Sequence, residues 1–230
     1  MRFVVCGEAL VDLVPAGEAN PQASNWRALS GGSALNSAIA LARLGNEVEF
    51  LGRLGNDAFA AQISDLLDAN AVGTSLCRRT NEATSVAVVS LAPNGSASYT
   101  FHFTGTANFN WYDEEFPQLA ETDWLHFGSV AAIVSPGAEA IARFVARNAH
   151  PMSIDLNVRP VYLPDPAEYW RRLEPLLASV GAARGVIKGS DEDVEFLAQG
   201  DSQLSGQDLS PTEIAIAWAS RYETLVALTL

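Results

Sequence analysis

Positive charge is scarce in this chain. Lysine and arginine number 14 against 27 aspartates and glutamates, the formal net charge is −13, and Lys188 is the only lysine. No basic cluster is long enough to grip a phosphate backbone, so no nucleic-acid partner is expected. The acidity reads as a source of solubility. Cysteine is nearly missing as well. Cys6 and Cys77 lie far apart and are too few for a disulfide framework, which predicts reduced thiols in a cytoplasmic protein. Nothing approaches the roughly 18 consecutive apolar residues of a membrane-crossing helix, so no membrane is expected as a partner. Glu8 and Asp12 interrupt Met1–Pro15, where no basic segment precedes an apolar core, so this stretch does not read as a signal peptide.

Whole chemistries are missing too. The chain has no Gly-x-x-x-x-Gly-Lys-Ser/Thr phosphate loop and no Gly-x-Gly-x-x-Gly dinucleotide loop. It has no His-x-x-x-His or Cys-x-x-Cys pair for zinc, and His102, His126 and His150 are scattered. The Gly-x-Ser-x-Gly nucleophile elbow is also absent.

What is present is a globular composition. Hydrophobic residues make up 48% and charged residues 18%, enough for a sizeable core in one α/β domain over 1–230. Short β-branched runs predict strands at 2–7, 47–54, 124–127, 152–156, 185–188 and 224–230. Helices are predicted at 33–44, 57–71, 136–148 and 167–179, and from the capping box Ser210-Pro211-Thr212-Glu213 to Arg221. This alternation predicts a parallel sheet covered on both faces. Two stretches break it. Residues 84–91 and 96–103 read as strands joined through the hairpin signal Asn94-Gly95, and residues 13–30 are irregular and partly apolar. Together, segments at about 13–30 and 82–108 predict a small β-appendage that leaves the main sheet and returns. The final TLVALTL carries no gatekeeping charge or proline, and the expectation is a chain cut off before its covering helix.

Ligands of open α/β sheets bind beyond the carboxyl ends of the strands. Glu8 and Asp12, Asp155–Arg159, and Lys188–Asp193 fall there. A carboxylate such as Asp12 can accept from two neighbouring sugar hydroxyls, although by itself it reads more simply as a turn cap. Gly31-Gly32 would let a backbone approach a ligand at a helix start, or would serve tight helix–sheet packing; Asn36, in the first turn, offers donors and acceptors to a polyol.

Gly31-Gly32-Ser33-Ala34-Leu35-Asn36-Ser37-Ala38, followed by Gly45 and Gly55, resembles the first signature of the PfkB, ribokinase-like carbohydrate kinases. Gly7–Asp12 looks like the opening of fructokinases and 2-keto-3-deoxygluconate kinases, and Asp155–Pro160 resembles their Asp-x-Asn-x-Arg-Pro segment. The resemblance spans the whole chain. It implies a mostly parallel sheet flanked by helices with a small β-lid, transfer of the ATP γ-phosphate to a sugar, Mg2+ as cofactor, and a homodimer paired through the lid. It further implies that Asp12, Gly31, Gly32, Asn36, Phe101, His102 and Arg159 hold the sugar. Asn157, Lys188 and Ser190 would lie at the nucleotide, and Asp193 at the metal.

Three departures from the family pattern stand out. Ser190 and Asp193 replace the Asn and Glu of the family's Asn-x-x-Glu motif. His102-Phe103 replaces a Tyr-Arg pair, which favours a neutral ketose over an acidic sugar, because Arg suits a carboxylate. The Asp-Thr-x-Gly-Ala-Gly-Asp signature, with the catalytic base, is absent from these residues and is expected beyond Leu230. The expected function is an ATP-dependent, fructokinase-like sugar kinase. A 2-keto-3-deoxygluconate kinase and a non-catalytic sugar-binding remnant are the alternatives.

Overall fold

The computed structural model of the protein describes residues 1–17, 20–91 and 97–229. Its first strand, β1 (Arg2–Cys6), divides its side chains between two layers. Val4 and Cys6 face one side of a sheet and Val5 the other, all three buried. The chain leaves this body through β2 (Leu10–Pro15) and returns antiparallel through β3 (Trp26–Gly31). Gly32, at φ 114, turns it into α1 (Ser33–Arg43). The helical spacing puts Ala34, Leu35, Ala38 and Ile39 on its buried face, and left-handed Gly45 follows its end. β4 (Glu47–Leu51) then lies parallel beside β1.

The strand predicted at 47–54 breaks at Gly52, where any side chain would collide with the Phe50 ring. β5 (Arg53–Leu54) is a separate piece, and Arg53 turns inward to ion pairs with Glu82 and Glu115. A buried guanidinium is tolerable because both carboxylates compensate it. α2 (Ala58–Ala69) starts at Asp57, whose carboxylate accepts from Ala60 N–H at 2.9 Å. β6 (Arg78–Arg79) pairs with β5.

The second excursion consists of β7 (Val86–Leu91) and β8 (Ala97–His102). The four excursion strands form one lid sheet in the order β3-β2-β7-β8, with β2 and β7 parallel and the outer pairs antiparallel. The lid therefore begins at Leu10, not at residue 13 as expected. Leu10 and Val11 read as a continuous apolar run because one packs into each of the two cores. The predicted Asn94-Gly95 turn lies outside the described residues.

β9 (Trp124–Gly128) returns to the body on the other side of β1. α3 (Gly137–Ala146), β10 (Met152–Asp155), α4 (Pro166–Ala182) and β11 (Val186–Ser190) follow. The chain continues through α5 (Asp191–Gly200), α6 (Pro211–Tyr222) and β12 (Leu225–Thr229). α5 was not anticipated; Ser190 and Asp193 form its capping box, as Ser210 and Glu213 do for α6.

The main sheet is parallel throughout, in the order β12-β11-β10-β9-β1-β4. α3 to α6 cover one face, burying Phe144, Tyr169, Leu197 and Trp218 against Leu125, Ile154 and Ile187. Each such aliphatic side chain contributes about 2 kcal/mol. The other face packs on α1 around β1 and β4, while Trp124, His126 and Ser153 on β9 and β10 are only half-buried there. From β1 the strand order runs one way to β4 and the other way to β9, so the switch point lies between β1 and β9.

Candidate sugar and phosphate site

At that switch point a cleft of about 580 Å³ opens between body and lid. The body contributes Gly32, Ser33 and Asn36 at the start of α1, Ser129 after β9, and Asn157 and Arg159 after β10. The lid contributes Asp12, Ala87 and Phe101, adjacent in one row across β2, β7 and β8, with Tyr99 one row further out. Tyr99 and Phe101 stack with centroids 6.0 Å apart, and Phe101 continues onto Phe103 at 4.8 Å. The lid thus presents an aromatic wall with one carboxylate in it.

Asp12 is half-buried and accepts no hydrogen bond from any described residue, and burial pushes its pKa up. Asn36 is exposed to the cleft, its backbone N–H bonded to Gly32 O at 3.0 Å. Gly31 ends β3 and pairs with Leu10; the side chain it lacks would stand against Asp12 Oδ2. Gly32 is needed twice over. Its φ of 114 disfavours any side chain, and a Cβ would lie 2.6 Å from Glu8 O.

Glu8 lies beneath this glycine pair, 1% exposed. Its Oε1 accepts from Ser33 N–H at 2.9 Å, and its Oε2 has no partner among the described residues. Burial raises its pKa, against the opposing pull of the Glu8 and Ser33 N–H groups and the Ser129 hydroxyl. Glu8 lines the floor of the cleft and fixes the start of α1.

A smaller hollow of about 180 Å³ continues past Asn157 and Arg159 to Lys188, Ser190, Glu192 and Asp193. Lys188 Nζ stands 3.0 Å from Asp155 Oδ1, its register partner on β10. Arg159 Nη1 donates to the carbonyls of Val158 (2.9 Å) and Asn157 (3.3 Å), so this part of the guanidinium braces its own loop. Lys188 and Arg159 line this hollow together with Glu192 and Asp193. Asn157, at φ 38, donates to Ser129 Oγ at 3.0 Å and borders both hollows, not the phosphate side alone as expected.

Two expectations need correction. His102 does not line the cleft; it follows Phe101 on a strand, so it points to the opposite face and is exposed. Asp193 is not a free metal ligand. Its Oδ1 accepts from Val158 N–H at 2.7 Å and its Oδ2 from Ser190 N–H at 2.9 Å. Ser190 Oγ accepts from Asp193 N–H at 3.1 Å in return. Among the described residues no group of three or more His, Cys, Asp or Glu is placed to hold a metal. Both Asp193 oxygens are thus committed to backbone donors. Ser33, Ser129 and Tyr99 line the cleft and were not anticipated as site residues.

A family model for pfkB family carbohydrate kinases matches residues 2–210. The chain belongs to this family. Among its relatives, the fructokinase of Rhizobium leguminosarum bv. trifolii is 30% identical over 231 aligned residues, covering 99% of this chain and 66% of the relative. The chain thus spans just under two thirds of that protein's length. Among solved structures, a fructokinase with bound ATP from Xylella fastidiosa superposes with a TM-score of 0.82 at 26% identity, covering 99% of this chain and 72% of the other. A fructokinase double mutant from Vibrio cholerae O395, bound to fructose, ADP and potassium ion, matches with a TM-score of 0.79 at 27% identity, covering all of this chain and 70% of the other. As a pfkB member, the chain has the fold its motifs implied: a mostly parallel sheet flanked by helices. No helix among the described residues is long and apolar enough to cross a membrane.

Proposed function

We propose that these residues form the sugar-binding side of an ATP-dependent sugar kinase acting on a neutral ketose such as fructose. The observation that carries this reading is the Asp12 carboxylate, half-buried and without a partner among the described residues, set in an aromatic wall opposite Asn36. Asp12 would accept from two sugar hydroxyls, Asn36 would bond a third, and Phe101 and Tyr99 would cover the apolar face of the ring. The likeness to fructokinases supports the same substrate class. None of the described lid residues that line the cleft is an arginine, because His102 and Phe103 stand where the family pattern has Tyr-Arg, which weighs against 2-keto-3-deoxygluconate.

ATP would supply the phosphoryl group, its phosphates held by Arg159, Lys188 and Ser190. Orienting a hydroxyl beside such a site is the main contribution these residues can make to transfer, a reaction governed by position and charge. We assign no catalytic base within residues 1–230. The exposed Trp26 and Leu29 of the lid support the reading of a homodimer paired there, and the free Cys6 and Cys77 suit a reducing cytoplasm.

Calorimetric titration of the chain with fructose and with 2-keto-3-deoxygluconate tests the reading. Fructose is expected to bind more tightly, and Asp12→Ala to abolish binding in a chain that remains folded. Tighter binding of the acidic sugar, or an unchanged affinity in Asp12→Ala, would overturn it.

A further inference from the structure

Four stretches join the lid sheet to the body: 7–10, 31–33, 83–85 and 103–108. Three of them meet at one amide. Asn108 is 1% exposed and does not line the cleft. Its Oδ1 accepts from Ala9 N–H at 3.1 Å, and its Nδ2 donates to Ala9 O at 2.8 Å and to Ser85 Oγ at 2.9 Å. The side chain pairs with Ala9 as a neighbouring strand would.

From Asn108 the bonds run in a single direction. The Thr106 hydroxyl donates to Phe103 O at 2.7 Å, so the Ser85 hydroxyl donates to Thr106 Oγ1, also at 2.7 Å. Ser85 Oγ is thereby left to accept from Asn108. Two backbone bonds close the joint, Ala107 N–H to Ala83 O at 2.9 Å and Val11 N–H to Ser85 O at 3.0 Å. A buried chain of this kind is cooperative and does not tolerate a reversed donor. An apolar side chain would fill the same space, so what the amide adds is direction.

We propose that Asn108 is a positioning residue that sets the angle of the lid against the body. It thereby fixes Asp12 and Phe101 relative to Ser33 and Asn36. The proposal rests on the reading of the cleft as a sugar site.

Two shape-conserving variants test it. Asn108→Asp reverses the donor, and Thr106→Val removes only the last hydroxyl of the chain. Each is measured by fructose titration and by hydrogen exchange of β2, β3, β7 and β8 against β4 and β10. Asn108→Asp is expected to weaken fructose binding about tenfold, the equivalent of roughly 1.4 kcal/mol, and Thr106→Val about threefold. Lid amides should exchange faster while β4 and β10 keep their protection. Loss of protection shared equally by lid and body marks an ordinary stability role and overturns the proposal. So does an unchanged lid with wild-type affinity. If Asn108→Asp fails to fold, Thr106→Val decides. If the wild-type chain binds no fructose, the sugar reading falls, and lid exchange against body exchange still decides the role of Asn108.

Discussion

The Asp12 carboxylate occupies the space in which a side chain at Gly31 would stand, and Oδ2 is the first atom a Cβ there would meet. Gly31 lies outside the left-handed region, so an alanine would meet the steric conflict without backbone strain. The obstructing atom is the end of a flexible side chain. Gly31→Ala is therefore expected to displace Asp12 and leave the fold standing. Fructose affinity should fall about tenfold or more, and unfolding free energy should change by less than about 1 kcal/mol. Calorimetry and urea denaturation read the two separately; an affinity equal to wild type would mean the space is not needed.

Glu8 should make stability depend on pH. Its carboxyl is held above the usual range by burial. The folded chain keeps a proton that the unfolded chain releases once the pH passes about 4.3. This group's contribution to stability therefore falls as the pH rises from there to the folded-state pKa. Glu8→Gln retains the acceptor for Ser33 N–H and cannot ionise. Asp57, Glu82 and Asp123, with lowered pKa values, contribute in the opposite sense in both proteins. The informative quantity is thus the difference in urea midpoint, wild type minus variant. It should decline with rising pH; a flat difference would mean that Glu8 titrates alike in both states.

Asp193→Ala removes acceptors from Val158 N–H and Ser190 N–H and uncaps α5. A loss of about 2 kcal/mol is expected in urea, the same with and without magnesium. A loss that appears only when magnesium is present would restore the metal role.

The alternation of short β-branched runs with helices was legible because β1, β9, β10 and β11 are buried on at least one face. α5 escaped notice although Ser190 and Asp193 have the spacing read correctly at Ser210 and Glu213. Its first turn, Asp191-Glu192-Asp193, reads as chemistry before it reads as a helix start. On the site, Gly31, Gly32, Asp12 and Asn36 stood out only through the resemblance to the family signature, because by themselves the glycines read equally as helix–sheet packing and Asp12 as a turn cap. Ser129 and Tyr99 meet the α1 start only in the folded chain, and nothing local marks them, whereas Ser33 sat unread inside the glycine-pair segment. The placement of His102 could have been foreseen: next to Phe101 on a strand, it must face away.

The parallel pairing of β2 with β7 makes the lid a lever. Both strands leave the body side by side in the same sense, their roots at Ala9 and Ser85 bound to Asn108. Asp12 stands three residues out from Ala9, an arm of about 10 Å at the strand rise. A swing of ten degrees carries its carboxylate through an arc of roughly 1.7 Å, more than a hydrogen bond can stretch and survive. Tyr99, one row further out, sweeps a longer arc. In the proposed site the grip on a sugar would be decided at the pivot, and a slip of a few degrees there would be magnified outward along the arm.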